Sequence, residues 1–375
     1  MKYSFALLIF SFLIYSFNCS FQSKLFNQMN QNLKRKNLII SPLSIFQILS
    51  LTANGARGRT LSEMLEFLQH EDLEELNEIN KKIIEIFKEA STLEIANAVM
   101  TKFKPLEKFV EITKEYSAPV EPLISEGQVN KWVSEKTHGK ITKILDKLTP
   151  DMVMILVNAV YFKGTWSKKF KKTSTEKLPF YNLGTEEIKV DTMTQTEKFP
   201  YYEDEKIQAV SLKYTHDNMS AVIILPKKGI DINEYIDVLA EDDDEYKKVI
   251  EGLRDAKVRL YLPKFELNFE QTLNSVLKEL GMVEAFNQAR ADFSGMKKRA
   301  DIYVNEVIHK TFLKVDEEGT EAAGSTGVGM RTRGMKPKEK IYQMRADRPF
   351  LFLLKNDKLP FGYDLLFMSK IEKLK

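Results

Sequence analysis

Residues 302–329 constrain the fold of this chain more than any other segment. Residues 302–315 are almost all β-branched, aromatic or long, which predicts a strand in a half-buried sheet. Residues 316–319, three acidic side chains followed by a glycine, are typical of a turn. From residue 320 to 329, no side chain is larger than valine except Glu321. The chain therefore passes from a strong strand, through a turn, into a run of small residues.

The run of small residues has two interpretations. Segments of this composition are commonly flexible linkers. In an extended chain, however, successive side chains face opposite sides, and here one face is small and uncharged while the only charge lies on the other. Such a segment could enter a sheet between two strands without burying a charge, which a linker does not need. The uncharged face consists of Thr320, Ala322, Gly324, Thr326 and Val328.

Two motifs in this half of the chain resemble the serpins, the serine protease inhibitor superfamily. Residues 315–324, Val-Asp-Glu-Glu-Gly-Thr-Glu-Ala-Ala-Gly, resemble the hinge of that family, and residues 345–353, Arg-Ala-Asp-Arg-Pro-Phe-Leu-Phe-Leu, resemble its C-terminal signature. The resemblance extends in order from about residue 37 to the end. By this resemblance the hinge consists of Glu317, Glu318, Gly319, Thr320, Glu321, Ala322, Ala323, Gly324, Ser325 and Thr326.

The resemblance implies both a fold and a mechanism. The fold is α+β, with a large central β-sheet, smaller sheets, about eight or nine helices and an exposed reactive-centre loop at about residues 319–340. The mechanism is that of a suicide substrate: a protease cleaves the loop, is held as an acyl-enzyme, and is displaced when the cleaved arm inserts into the central sheet. Residues 319–333 would span about 50 Å at ~3.3 Å per residue. We therefore expect an inhibitor of serine-type endopeptidases and not an enzyme, with a trypsin-like serine protease as its covalent partner.

Two ways of counting place the scissile bond differently. Family members with this hinge place the residue before the bond about fourteen positions after the hinge glycine, which gives Arg333 followed by Gly334. The commonest spacing from the C-terminal signature gives Lys338 instead, and Arg331 is a third candidate with a shorter inserting arm. We favour Arg333, because the length of the inserted arm sets the final position of the protease. All three candidates are basic, which predicts trypsin-like specificity.

The apolar run at residues 152–162 predicts a strand buried on both faces. It contains Asn158, which needs hydrogen-bond partners if it is buried. The resemblance implies a pair of Asn158 and His309, the family's shutter, beneath the point where the sheet opens. Spacing alone does not pair them, and a locally satisfied asparagine with an ordinary strand histidine is the alternative.

Three further residues match positions of the same family. Ser41 and Ser44 match serines that lie under the central sheet, although Ser41 before a proline is also a suitable helix N-cap. Trp166 matches the tryptophan of the breach, where the loop first enters the sheet. We expect these residues to meet beneath and at the end of the central sheet.

The N-terminus predicts export. Lys2, followed by an apolar run at residues 5–17, fits a secretory signal peptide, and the run is too short to span a membrane. We place the signal peptide at residues 1–19 and a single domain at residues 20–375, so cleavage near Cys19 removes the only cysteine. A buried N-terminal helix is the alternative. The sequence thus predicts a secreted, extracellular, monomeric protein.

Composition and motifs argue against several other classes of function. The net charge is only +3, from 56 basic and 53 acidic residues, which does not indicate binding to nucleic acid. Neither a Gly-x-Ser-x-Gly nor a His-Glu-x-x-His motif occurs, so we expect no cofactor and no metal. The lysines in residues 72–90 alternate with glutamates, which argues against glycosaminoglycan binding. Asn218 begins a triplet for N-glycosylation, of a kind that is often unused.

Three alternatives to trypsin inhibition stay open. The first is a non-inhibitory serpin that acts as a storage protein, carrier or chaperone. The second is an inhibitor of a chymotrypsin-like or cysteine protease, and the third is an unrelated secreted binding protein. Non-inhibitory members often carry bulky or charged residues on the inserting face of the hinge, so the small face beginning at Thr320 favours inhibition.

Overall fold

The computed structural model describes residues 19–88, 92–299, 302–320 and 340–375. Over these four ranges the chain forms nine α-helices, sixteen β-strands in three sheets, and two short 3-10 turns at Lys172–Ser174 and Glu284–Phe286. The helices are α1 (Phe21–Asn32), α2 (Pro42–Gly55), α3 (Gly58–Leu68), α4 (Leu73–Phe87), α5 (Glu107–Glu115), α6 (Glu126–Lys136), α7 (Ile232–Glu241), α8 (Asp243–Gly252) and α9 (Asn274–Glu279).

The strands are distributed along the whole chain, and several are only two or three residues long. They are β1 (Leu38–Ile40), β2 (Leu93–Thr101), β3 (Val120–Pro122), β4 (Met154–Phe162), β5 (Gly164–Thr165), β6 (Thr175–Asn182), β7 (Glu186–Glu203), β8 (Ile207–Lys213), β9 (Met219–Pro226), β10 (Arg254–Pro263), β11 (Phe265–Thr272), β12 (Glu306–Val315), β13 (Gly319–Thr320), β14 (Ile341–Arg345), β15 (Phe350–Asn356) and β16 (Leu365–Ile371).

The central sheet has the strand order β11-β12-β4-β2-β3. Strands β12 and β4 run parallel and are hydrogen-bonded directly to each other, from the pair Glu306 and Ile155 to the pair Phe312 and Tyr161. β12 pairs antiparallel with β11 on its other side, and β4 pairs antiparallel with β2. The parallel pair β12 and β4 in the middle of the sheet is therefore flanked by an antiparallel strand on each side, and β3 pairs parallel with β2 at the edge.

The central sheet is buried on both faces because side chains of β4 alternate between two cores. Met154, Leu156, Val160 and Phe162 belong to the larger core, on the side of α2. The intervening residues of β4 belong to a second core with side chains of α6. This alternation explains the continuous apolar run of β4, since a strand with two buried faces has no polar side.

α2 lies beneath the central sheet and is buried along its whole length. All of its residues from Pro42 to Gly55 are buried, and it contacts β2 and β4 as well as α3, α4 and α5. A helix with no exposed side, polar residues included, has to lie inside the protein. α2 therefore supports the sheet from below, and its first turn carries Ser41 and Ser44.

A second sheet has nine strands, in the order β1-β16-β15-β9-β8-β7-β10-β14 with β6 paired to β7, and its strand β16 contacts α2. β7 is 18 residues long and joins β8 at one end to β6 and β10 along the rest of its length. The smaller sheets expected from the sequence are therefore continuous through β7.

The fold class expected from the sequence is confirmed: the chain is α+β, with a central sheet, additional strands and nine helices over the described residues. β12 begins at Glu306, so the expected strand is four residues shorter at its start than residues 302–315. Most of the expected loop at residues 319–340 lies outside the described residues. None of the described helices is both long and apolar enough to cross a membrane.

Candidate functional site

The start of the hinge is fixed by two glutamates. Glu317 is buried, accepts a hydrogen bond from Thr175 at 2.7 Å and lies 2.9 Å from the ammonium of Lys264. Burial raises the pKa of Glu317, but the bonds from Thr175 and Lys264 outweigh it and lower the pKa. The ammonium of Lys169 lies 2.7 Å from Glu318 and lowers the pKa of that carboxyl. Both carboxylates are thus held charged and in place.

After these glutamates the chain turns and pairs with the end of the central sheet. Gly319 and Thr320 form β13, which runs antiparallel to β5, with Gly319 opposite Thr165 and Thr320 opposite Gly164. Because β5 follows β4 directly, the hinge already lies beside the continuation of β4. A strand extended in the same direction would lie antiparallel to both β4 and β12.

Only glycine fits at position 319. Its φ is +148°, and a Cβ built on it would lie 2.0 Å from the carbonyl oxygen of Gly164. Side chains avoid this region of φ, and no contact of 2.0 Å between such atoms is tolerated. The hinge glycine is therefore required by the close approach of β13 to β5.

Trp166 anchors the hinge from below. Its indole Nε1 donates to the carbonyl of Asp316 at 3.0 Å, and its backbone N–H donates to the carbonyl of Glu318, also at 3.0 Å. Tyr214 stacks on the indole, with the ring centroids 4.3 Å apart. Trp166 itself is 1% exposed. The tryptophan expected at the breach is thus in direct contact with the hinge.

Thr320 is already buried in this structure, with no exposed surface, and its hydroxyl lies 2.8 Å from the hydroxyl of Tyr214. From the sequence we expected Thr320 to be buried through strand insertion. Burial and the bond to Thr320 act in opposite directions on the pKa of Tyr214, and burial wins and raises it, so the phenol is neutral. Thr320, the first residue of the uncharged face, therefore already occupies a buried polar niche.

Three polar side chains lie in one row across the central sheet. Asn97, Asn158 and His309 stand opposite one another on β2, β4 and β12. Asn158 donates through Nδ2 to the side-chain oxygen of Asn97, and its own oxygen contacts Nδ1 of His309. We call Asn97, Asn158 and His309 the polar row. It crosses the parallel pair of strands and faces α2.

The first turn of α2 completes the hydrogen bonds of the polar row. The hydroxyl of Ser44 lies 3.0 Å from the side-chain oxygen of Asn158, and Asn97 donates to the carbonyl of Ser44 at 3.4 Å. The backbone N–H of Ser41 donates to Nε2 of His309 at 3.2 Å. The side chain of Ser41 makes no cap bond to α2. Ser41 contacts the polar row through its backbone N–H.

These contacts fix the protonation of His309. The oxygen of Asn158 only accepts, so Nδ1 carries the proton, and Nε2 accepts from Ser41. The ring is then neutral, with both nitrogens satisfied. Complete burial lowers the pKa of His309 from 6.5 to about 3. If Nε2 were protonated, its N–H would face the backbone N–H of Ser41, and neither donor would have an acceptor.

The structure brings together Ser41, Ser44, Asn158 and His309, and separately Trp166 with residues 317–320. Glu321, Ala322, Ala323, Gly324, Ser325 and Thr326 lie outside the described residues, as do Arg331, Arg333, Gly334 and Lys338. Asn218 is exposed, in a turn with a positive φ of 53°.

Sequence reasoning missed Asn97, Tyr214 and Lys264. Asn97 interrupts an apolar run in the same way as Asn158, so the same argument would have singled it out. Tyr214 and Lys264 carry no local signal, because their partners are about 50 to 110 residues away. Only the fold places them at the hinge.

Comparisons with known proteins agree with this geometry. The family model described as Serpin (serine protease inhibitor) matches residues 16–373. The leukocyte elastase inhibitor of Xenopus laevis is 35% identical over 359 residues, which cover 89% of this chain and 93% of that protein.

Two solved structures show the same fold. The thermophilic serpin tengpin in its native state has a TM-score of 0.85 and 31% identity, covering 95% of this chain and 93% of its own. A complex of thyroxine-binding globulin with thyroxine has a TM-score of 0.83 and 26% identity, covering 95% of this chain and 98% of its own.

Replacement of Gly319 by alanine should destabilise the protein by more than about 1 kcal/mol, because the Cβ meets the carbonyl of Gly164 and strains the backbone. The measurement is the urea midpoint of unfolding. Gly184→Ala is the matched control, since Gly184 also has a positive φ but nothing lies within 4 Å of its Cβ. Equal losses in the two variants would show that the contact between β13 and β5 is unimportant.

Acid should remove the contribution of His309 to stability. Its pKa is lower in the folded state than in the unfolded state, so this contribution is complete above pH 6.5 and is lost as the pH falls toward 3. The difference in urea midpoint between wild type and His309→Gln should therefore be largest at pH 8 and shrink toward pH 4. His216→Gln, an exposed histidine outside the polar row, is the control. A difference for His309→Gln that does not change with pH would contradict the neutral, buried imidazole.

Proposed function

The chain belongs to the serpin (serine protease inhibitor) family, and we propose that it inhibits trypsin-like serine proteases as a suicide substrate. The protease attacks the loop and forms an acyl-enzyme. The cleaved arm then enters the central sheet between β4 and β12 and carries the protease with it before the ester is hydrolysed. The loop carries the sequence that the protease recognises and cleaves. Insertion into the central sheet supplies the driving force through new hydrogen bonds and buried surface.

The observation that carries this proposal is the position of the hinge. Gly319 and Thr320 are paired at the end of the central sheet, while β4 and β12 beside them are still bonded to each other. The uncharged Thr320 fits its buried niche, as an inserting residue has to. A storage or carrier protein would not need an inserting arm in this register.

The basic residues of the loop support trypsin-like specificity. Arg333, the favoured residue before the scissile bond, would enter an acidic specificity pocket, and Gly334 after it presents no side chain to hinder attack. The name of the Xenopus laevis relative instead points to an elastase, so elastase is the second target to test. The similarity to thyroxine-binding globulin keeps a carrier function as the alternative from another class.

Mixing the purified protein with trypsin should give a covalent complex that survives boiling in detergent. Arg333→Ala should abolish this complex, and Lys338→Ala, the matched control, should leave it nearly unchanged. The released C-terminal fragment should begin at Gly334 by mass spectrometry. Parallel reactions with chymotrypsin and elastase test the other target classes.

Each other outcome is informative. Clean cleavage of the loop with the protease left active would reject inhibition and favour a non-inhibitory serpin. A fragment that begins at Glu339 would move the scissile bond to Lys338. A fragment that begins at Lys336, after Met335, would indicate a chymotrypsin-like target.

We also propose that residues 1–19 are a signal peptide and that the secreted chain begins at Ser20. The backbone nitrogen of Ser20 lies 2.7 Å from the carboxylate of Asp243, which is buried. Burial raises the pKa of Asp243, although hydrogen bonds from Ser23 and Ser20 oppose this. A free α-ammonium at Ser20 would give this carboxylate a cationic partner.

N-terminal sequencing of protein collected from the medium should therefore begin at Ser20. Asp243→Asn should lower its melting temperature, because the ammonium then loses its counter-charge. Another first residue, or retention in the cell, would reject this boundary or secretion respectively. The mass of the same protein reports whether Asn218 carries a glycan.

A further inference from the structure

A cavity of about 400 Å³ lies beside the tryptophan that anchors the hinge. We propose that it is a binding site for a small amphipathic anion, an aromatic ring system that carries a carboxylate or sulfonate. Its walls come from the segment after β5 and from β7, β8 and β10. Its shape and its charges both point to this class of ligand.

The inner wall of the cavity is apolar and aromatic. Trp166, Phe199 and Leu212 line it, and each of them is at most 4% exposed. Tyr214 already covers one face of the indole of Trp166, so a ligand meets the rest of that ring. A flat apolar body gains both buried surface and offset ring contacts against such a wall.

The mouth of the cavity is basic. Among the described residues that line it, the charged ones are Lys168, Lys198, Lys213 and Asp255, all of them exposed. The ammonium of Lys168 lies 5.3 Å from the ring centroid of Phe199, so positive charge sits directly at the edge of the apolar wall. One anionic group on a ring system matches this arrangement, whereas a cation would be repelled.

Occupancy of the cavity would act on the hinge through Trp166. The same residue donates its two N–H groups to the carbonyls of Asp316 and Glu318. A ligand that packs on the indole holds Trp166 and these two bonds in place, and so opposes the rearrangement beside β5 that growth of β13 into the sheet requires. This coupling rests on the proposed function. The effect of the ligand on insertion is limited by the difference between its affinities for the protein before and after insertion.

The direct test is calorimetric titration of the full chain with naphthalene-2-sulfonate. Wild type should bind it, and the neutral isostere 2-naphthalenemethanol should bind at least about tenfold more weakly. Lys213→Glu should weaken binding of the sulfonate by about tenfold or more. Lys206→Glu, the same charge change at an exposed lysine before the other end of β8 and outside the cavity wall, should not.

Fluorescence locates the bound ligand. The chain has two tryptophans, so Trp132→Phe leaves Trp166 as the only indole reporter, and its emission should change on titration. Absence of binding to wild type at millimolar sulfonate, equal affinity in Lys213→Glu, or an unchanged emission of Trp166 would each overturn the site.

The coupling is tested separately, by the number of inhibitor molecules consumed per trypsin inactivated. This ratio should rise with bound sulfonate in wild type and Lys206→Glu, and not in Lys213→Glu. A constant ratio with binding intact would overturn the coupling. Failure to trap trypsin without any sulfonate would instead reject the proposed function, and the titration would still decide whether the site exists.

Discussion

The direct pairing of β4 with β12 is the contact on which the other features of this molecule depend. It is the parallel step in the middle of the central sheet, and parallel ladders are slightly weaker per residue than antiparallel ones. A strand that runs in the direction of β13 would replace it with two antiparallel ladders. The contact between β4 and β12 is thus a seam, the line along which a strand extended from β13 would have to enter the sheet.

The polar row holds this seam closed. Asn158 and His309 contact each other across the two strands, and α2 supplies the remaining partners from below. Buried polar groups are costly when they lose their partners, so opening the seam requires these side chains to exchange bonds together. A row of apolar residues would not specify one register of β4 against β12, because apolar contacts are not directional.

Several parts of this arrangement were predictable from the sequence. The apolar run of β4, the strand β12 and the uncharged face that begins at Thr320 follow from residue patterns, and the resemblance supplied the pairing of Asn158 with His309. Other parts depend on long-range contacts. The resemblance implied the approximate number of helices, whereas the continuity of the nine-stranded sheet through β7 was not predicted. The φ of Gly319, the niche around Thr320 and the bond from Lys264 to Glu317 exist only because distant segments meet.

The pairing of β13 with β5 also has a kinetic meaning. When two distant segments form a new ladder, the slow part is usually to bring their ends together, and that part carries the entropy of loop closure. Here Gly319 and Thr320 already lie beside the continuation of β4. The first two residues of the new strand are therefore already paired, and the cost of bringing the two segments together has already been met. Growth of a strand from this point would be a stepwise process, limited by how fast β12 separates from β4 ahead of the advancing end.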